Sequence, residues 1–207
     1  MGNCCNQDLK EGPDNYSLKQ TPGEPKKAIP SGNEAEAEQV HGPSMGIAVK
    51  ASAMNPLDPK VKEVEKNKGP FKFSPDLDRQ FEGLPVLGPF KYENGATYQG
   101  QYKDGKRHGR GRQVWSDGSV YEGYWEGDKS SLRGRLIHLE GDYYEGEWEN
   151  DQASGKGTYE HNDGTVYEGD WKNDKQNGFG KEKWPDGSVY EGQYVNSLKH
   201  GQGLFTW

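Results

Sequence analysis

A motif that begins Tyr-x-Gly returns through the second half of this chain at a fixed interval of 23 residues. The units read YQGQYKDGKRHGRGRQVWSDGSV from Tyr98, YEGYWEGDKSSLRGRLIHLEGDY from Tyr121, YEGEWENDQASGKGTYEHNDGTV from Tyr144, YEGDWKNDKQNGFGKEKWPDGSV from Tyr167 and YEGQYVNSLKHGQGLFTW from Tyr190. No insertion interrupts the complete units, so each must adopt the same supersecondary fold and bury its apolar groups against its neighbours. Upstream, FEGLPVLGPFKYENGAT is a shortened entry unit, because its Gly88, Tyr92 and Gly95 stand 23 residues before Gly111, Trp115 and Gly118. The array therefore spans 81–207, with an entry unit at 81–97 and units at 98–120, 121–143, 144–166, 167–189 and 190–207.

Alternation within a unit predicts strands. In Tyr98-Gln99-Gly100-Gln101-Tyr102 the two tyrosines and the glycine share one face and the glutamines the other, the period of an extended chain. Asp104-Gly105 predicts a tight turn, after which Gly109, Gly111, Gln113 and Trp115 share one face of a second strand. Asp117-Gly118 then returns the chain to Tyr121. Each unit is thus a β-hairpin, and successive hairpins add side by side, each advancing the sheet by about 10 Å.

Repetition turns single residues into ladders. Tyr98, Tyr121, Tyr144, Tyr167 and Tyr190 form one; Tyr102, Trp125, Trp148, Trp171 and Tyr194 form another; glycines run between them and along the second strands. The chain has 30 glycines and an apolar content of 29%, too little for a core with two layers. Aromatic rings lying on glycine backbone supply packing in its place, and glycine-rich strands bend. The expected fold is all-β: a single-layer, elongated, curled antiparallel sheet of tandem hairpins.

These units resemble the MORN family (membrane occupation and recognition nexus repeats), written around Y-x-G-x-W, a turn, G-x-G, and D-G before the next tyrosine. The second unit departs from that pattern, with Leu132 where the others have Gly109, Gly155, Gly178 and Gly201, and Ser131 where His108 and His200 stand. The resemblance implies an adaptor, since such repeats occur in proteins that link membranes, in membrane skeletons, in ciliary spokes, and beside catalytic domains of some lipid kinases and methyltransferases. No kinase or methyltransferase sequence is present here.

Composition changes sharply near residue 80. Eleven of the 12 prolines lie at or before Pro89, and all 6 tryptophans lie from Trp115 onward. Residues 1–80 are poor in large apolar side chains and read as a flexible, proline-rich tether. Within it PLDPKVKEVEKNKGPFKF predicts at most a short solvated helix, its lysines diluted by Glu63 and Glu65.

The only two cysteines, Cys4 and Cys5, sit in MGNCCNQ. Adjacent thiols close only a strained ring, and too few ligands lie nearby for a zinc site. Met-Gly is where N-myristoylation acts and a neighbouring cysteine is where S-palmitoylation follows, although Asn6 replaces the favoured Ser or Thr. Two readings stay open: acylation at Gly2, Cys4 and Cys5, or an unmodified terminus.

The net charge of −7 argues against nucleic acid. From Tyr98 onward 14 Lys and Arg face 19 Asp and Glu, which also disfavours phospholipid headgroups. The carboxylates Glu122, Glu145, Glu168 and Glu191 recur at equal spacing instead of converging, and histidines one unit apart are about 10 Å apart, so no catalytic, metal or cofactor site is expected. The expectation is a non-enzymatic scaffold at the cytoplasmic face of the plasma membrane or of a ciliary or cortical membrane. Acyl chains hold it there, and a trough lined by Tyr102, Trp125, Trp148, Trp171 and Tyr194 and flanked by Glu122, Glu145, Glu168 and Glu191 receives a protein partner. The rival is a building block of a ciliary or membrane-skeleton lattice, and a weaker one is a targeting fragment of a larger enzyme such as a lipid kinase.

Overall fold

The computed structural model describes residues 52–207; the acylation motif at Gly2, Cys4 and Cys5 lies outside them. Eleven strands form one open antiparallel sheet in chain order: β1 (Val86–Lys91), β2 (Thr97–Lys103), β3 (Lys106–Val114), β4 (Val120–Glu126), β5 (Lys129–Ile137), β6 (Tyr143–Glu149), β7 (Gln152–Glu160), β8 (Val166–Lys172), β9 (Lys175–Lys183), β10 (Val189–Val195) and β11 (Leu198–Thr206). The expected all-β, single-layer array is the observed one. The entry unit contributes β1 and a turn in which Gly95 N–H donates to Tyr92, as Gly118 does to Trp115 in the next unit.

Within each of the five Tyr-x-Gly units the hairpin turns through two consecutive left-handed residues, for example Asp104 and Gly105 (φ 51° and 78°) or Asn173 and Asp174 (φ 49° and 63°), whose twist matches that of the flanking strands. The second turn residue also ties each hairpin to the one before. Asp128, Asp151 and Asp174 accept from the backbone N–H of Arg107, Ser130 and Ala153, 21 residues earlier. Their own N–H groups donate back to the carbonyls of the same three residues at 3.0 Å. One edge of the array is thereby a continuous hydrogen-bonded seam.

Within each hairpin the pairing register shifts just beyond the central glycine pair, as between Gly146 and Trp148. The extra residues on the longer strand bend it and tighten the twist. Gly109, Gly155, Gly178 and Gly201 hold the bulge with positive φ, and Leu132 does the same in the second unit at φ 59°. The second hairpin keeps its turn, with Trp125 opposite Ser130 and Glu126 opposite Lys129; the substitution changes the strain and not the pairing.

The two faces of the sheet differ. One carries the Tyr, Trp and Gly ladders; the other carries Glu122, Tyr124, Arg112 and their repeats, alternating as strand geometry requires. Across the second face lies a strap that corrects the tether expectation for residues 52–80. Helix α1 (Pro59–Lys68) starts where the Asp58 carboxylate accepts the Lys60 N–H at 2.8 Å and Pro59 sets the first turn. It ends at Gly69, whose N–H reaches Glu65 O. Val61, fully buried, packs with Met54, Leu57 and Val64 onto Val114, Val120, Ile137 and Tyr143, a contribution of about 1.5–3 kcal/mol from that valine alone. The chain then returns over the sheet through Phe71 and Phe73, α2 (Pro75–Asp78) and a 3₁₀ turn (Arg79–Phe81). Apolar spacing at Leu57, Val61 and Val64 matches an apolar patch that only the first units carry, so the segment orders there.

Candidate functional site

The aromatic face is a continuous edge-to-face chain. From Phe90 the rings run through Tyr102, Tyr98, Trp125, Tyr121, Trp148, Tyr144, Trp171, Tyr167 and Tyr194 to Tyr190, each neighbour at 5.0–5.9 Å between centroids and close to perpendicular. Such pairs each contribute about 0.5–1.5 kcal/mol beyond area burial. Each ladder tyrosine donates its hydroxyl to the carbonyl three residues on, as Tyr121 to Tyr124 and Tyr144 to Glu147. Each ladder tryptophan donates its indole N–H to a glycine of the preceding unit, Trp125 to Gly111, Trp148 to Gly134 and Trp171 to Gly157. Glycine is required under these rings, since a Cβ on Gly157 would overlap the Tyr144 hydroxyl and ring. Burial pushes the hydroxyls of Tyr98, Tyr121 and Tyr144 above the ordinary tyrosine range, so they stay protonated donors.

This geometry places the predicted partner-binding aromatics in the core. Tyr102, Trp125, Trp148, Trp171 and Tyr194 are only 2–6% exposed. The four glutamates do not flank them. Alternation turns Glu122, Glu145, Glu168 and Glu191 to the opposite face, where Arg112 holds Glu122 at 2.9 Å, Arg135 holds Glu145 at 2.6 Å and Lys181 lies 3.4 Å from Glu191. Among the described residues no cation lies within salt-bridge distance of Glu168: Thr158 stands where Arg112 and Arg135 stand in the earlier units, and Lys181, opposite it on β9, pairs with Glu191. The predicted constellation is thus split between a packed face and a charged one.

The strap docks on the charged face through groups of which the sequence singled out only Glu122 and Glu65. Arg112 bridges Glu122 and Glu65 of α1 at 2.9 and 2.6 Å, Arg135 donates to Gly69 O at 2.7 Å, and Lys68 pairs with Glu160 at 2.7 Å over the Tyr143 ring. Tyr124 accepts the Ser74 N–H and donates to Asp78; burial first, and the Asp78 carboxylate beside it, push its hydroxyl up to about 12. The signal available in the sequence was a break in the repeat: Val114, Val120, Ile137 and Tyr143 line the charged face in the first units, while Glu160 and Lys183 take over the place of Val114 and Ile137 later.

At the rim of the aromatic face, His138 and His161 occupy the position that Trp115 and Trp184 hold elsewhere. Burial lowers the pKa of His138, whose Nε2 has no hydrogen-bond partner. Asp142 accepts from the Asn162 N–H at 2.7 Å and the Tyr159 hydroxyl at 3.0 Å, with His161 Nδ1 at 3.8 Å. Burial opposes its ionisation, yet these donors outweigh it and hold the carboxyl at about 2. Among the described residues no group of three or more His, Cys, Asp or Glu side chains converges to hold a metal ion, and no helix is long and apolar enough to cross a membrane.

Among solved structures the chain is similar to the TCP10 domain of Danio rerio CPAP, determined in complex with a peptide of Danio rerio STIL, at 19% identity and a TM-score of 0.33 over 54% of this chain and 49% of that one. It is also similar to the SAS-4 (dCPAP) TCP domain in complex with a proline-rich motif of Ana2 (dSTIL) of Drosophila melanogaster, at 10% identity and a TM-score of 0.30 over 60% and 58%. The chain spans about half the length of these relatives, 49% and 58%. Among curated proteins none matches. The MORN repeat model matches residues 98–120, 144–166, 167–189 and 190–207 and passes over the unit that carries Leu132. MORN repeats are generally a non-catalytic repeat module. Four matches in one register support assignment of the array to the MORN-repeat family.

Proposed function

We propose that the protein is a non-enzymatic adaptor, attached to the cytoplasmic face of a membrane by acyl chains on Gly2, Cys4 and Cys5, with the array presenting a surface to a protein partner. The observation that carries the reading is the internal completeness of the array. Its ladder rings, indole N–H groups and turn seam are satisfied within the sheet. What it offers to the outside is a stiff strip about 50 Å long at the usual strand spacing, with a charged face that changes character along its length. A strip of that kind fixes distance and orientation between what holds its tail and what binds its face. An acidic array does not draw anionic headgroups, so attachment falls to the terminus. One myristoyl chain anchors only marginally, and palmitate on Cys4 or Cys5 supplies the second signal.

The test is membrane fractionation and imaging of Gly2→Ala beside the unaltered protein, with photo-crosslinkers on the charged face. Dispersal of the variant into the soluble fraction, with an unchanged crosslinked partner, supports the adaptor. Unchanged filamentous or axonemal placement of Gly2→Ala supports the lattice reading instead, and the absence of any crosslinked protein removes partner binding by the array.

A further inference from the structure

We infer that the half of the charged face left open by the strap, over β6 to β10, binds an extended segment of a partner protein that carries lysine or arginine side chains. The inference rests on the adaptor reading and names the surface and the chemistry of its ligand. It starts from how the sheet already binds a segment of its own chain. Under Phe71, Phe73, Glu65 and Asp78 the sheet supplies the cations and the strap the rings and acids, whereas at Lys68 the roles are reversed, the strap's ammonium pairing with Glu160 at 2.7 Å over the Tyr143 ring. Arg110 lies over Phe73 at 5.6 Å and Arg135 over Phe71 at 6.0 Å. Asp78 faces Arg110 at 3.6 Å and Glu65 faces Arg112 at 2.6 Å.

The arrangement seen at Lys68, a sheet ring and carboxylate facing a cation, continues beyond the tip of the strap at Gly69. A groove of about 640 Å³ continues the same face, lined among others by Arg133, Glu147, Lys156, Glu168, Phe179 and Lys181. Its cations are engaged or opposed: Lys156 is held by Asp170 at 2.5 Å, Lys181 lies beside Glu191, and Arg133 stands opposite Glu147 across the strands. Lys181 also stands opposite Glu168 in the register of β8 and β9 but forms its ion pair with Glu191, so Glu168 has no cation at salt-bridge distance among the described residues. Phe179, 61% exposed, sits on the bulge position that Arg110 occupies in the first unit. Here the sheet provides the ring and a carboxylate outside any ion pair, so the complementary ligand provides the cation, over the Phe179 face and beside Glu168. An extended segment suits the site because the strap itself crosses the sheet through Phe71 and Phe73 without regular structure.

The probes are two labelled ten-residue peptides, one alternating lysine and valine and the other glutamate and valine, titrated into the full chain by fluorescence anisotropy and amide-shift NMR. The lysine peptide binds, shifts residues of β6 to β10, and weakens about 10-fold with Glu168→Lys and about 5-fold with Phe179→Ala. Both substitutions are on exposed side chains, and thermal melts confirm folding. Glu149→Lys, the same charge change off the groove, leaves affinity within 2-fold. Equal binding of the glutamate peptide, equal loss with Glu149→Lys, shifts confined to other strands, or no binding of the lysine peptide overturns the inference. The crosslinked partner separates the two claims. If Glu168→Lys and Phe179→Ala retain it, the adaptor stands and this surface falls. If the unaltered chain captures none, the adaptor reading falls first.

Discussion

Gly157→Ala probes the packing that replaces a second layer. A Cβ at residue 157 lies 2.5 Å from Tyr144 Cζ and closer still to its hydroxyl and Cε2, so the ring must leave its seat. Tyr144 is fully buried, donates to Glu147 O at 2.9 Å, and meets Trp148 and Trp171 edge-to-face at 5.2 Å each. Two aromatic pairs at about 0.5–1.5 kcal/mol each, one hydrogen bond at about 0.5–1.5 kcal/mol and partial loss of ring burial give a cost of about 3–5 kcal/mol, comparable to deletion of a core aromatic. Gly127→Ala is the internal reference, because nothing lies within 4 Å of a Cβ there and only the φ of +58° opposes the methyl, at about 1 kcal/mol. Urea denaturation of both variants, of Tyr144→Ala and of Gly157→Ala combined with Tyr144→Ala measures the difference. Removing the ring should absorb most of the methyl's cost, leaving a coupling of at least about 2 kcal/mol in the cycle. Equal costs for Gly157→Ala and Gly127→Ala, or additivity in the cycle, would refute the ring-on-glycine account.

Leu132→Gly should stabilise the chain by about 0.5–1 kcal/mol, because it relieves the non-glycine φ of 59° at the bulge while adding freedom to the unfolded state; a fall in the urea midpoint would count against it. For His138, burial holds the folded pKa below the unfolded value of about 6.5. Its contribution is therefore complete above that pH and declines as pH falls through 6.5, where the unfolded chain takes up the proton first; His138→Phe should flatten the slope of stability between about pH 7 and 5, and an unchanged slope contradicts the assignment. Val61→Asp buries a carboxylate among Val114, Val120 and Ile137 and should release α1, so hydrogen exchange should rise over residues 52–81 and stay low in β7 to β10; protection retained in α1 would show that the strap is held by its ion pairs alone.

The hairpins were legible because two periods coincide, alternation within a strand and the 23-residue repeat along the chain. The ring-on-glycine packing followed from ladders of Tyr98, Gly100 and Trp125 and their copies. The candidate site was legible only in part. Alternation sets Glu122 on the face opposite Tyr121 and Trp125, so the rings and the carboxylates cannot line one trough. The strap was hidden because its ordering depends on a long-range match: Leu57, Val61 and Val64 find an apolar patch that exists only where the repeats are least regular. Local composition, rich in lysine and proline, points the other way.

Attachment by the terminus is the claim on which the functional account depends, and intact-mass spectrometry of the native protein tests it most directly. The account predicts a chain that has lost its initiator Met and gained one myristoyl group on Gly2 and at least one palmitoyl group on Cys4 or Cys5, the latter removed by hydroxylamine. A chain carrying no acyl group on any of the three residues would contradict it.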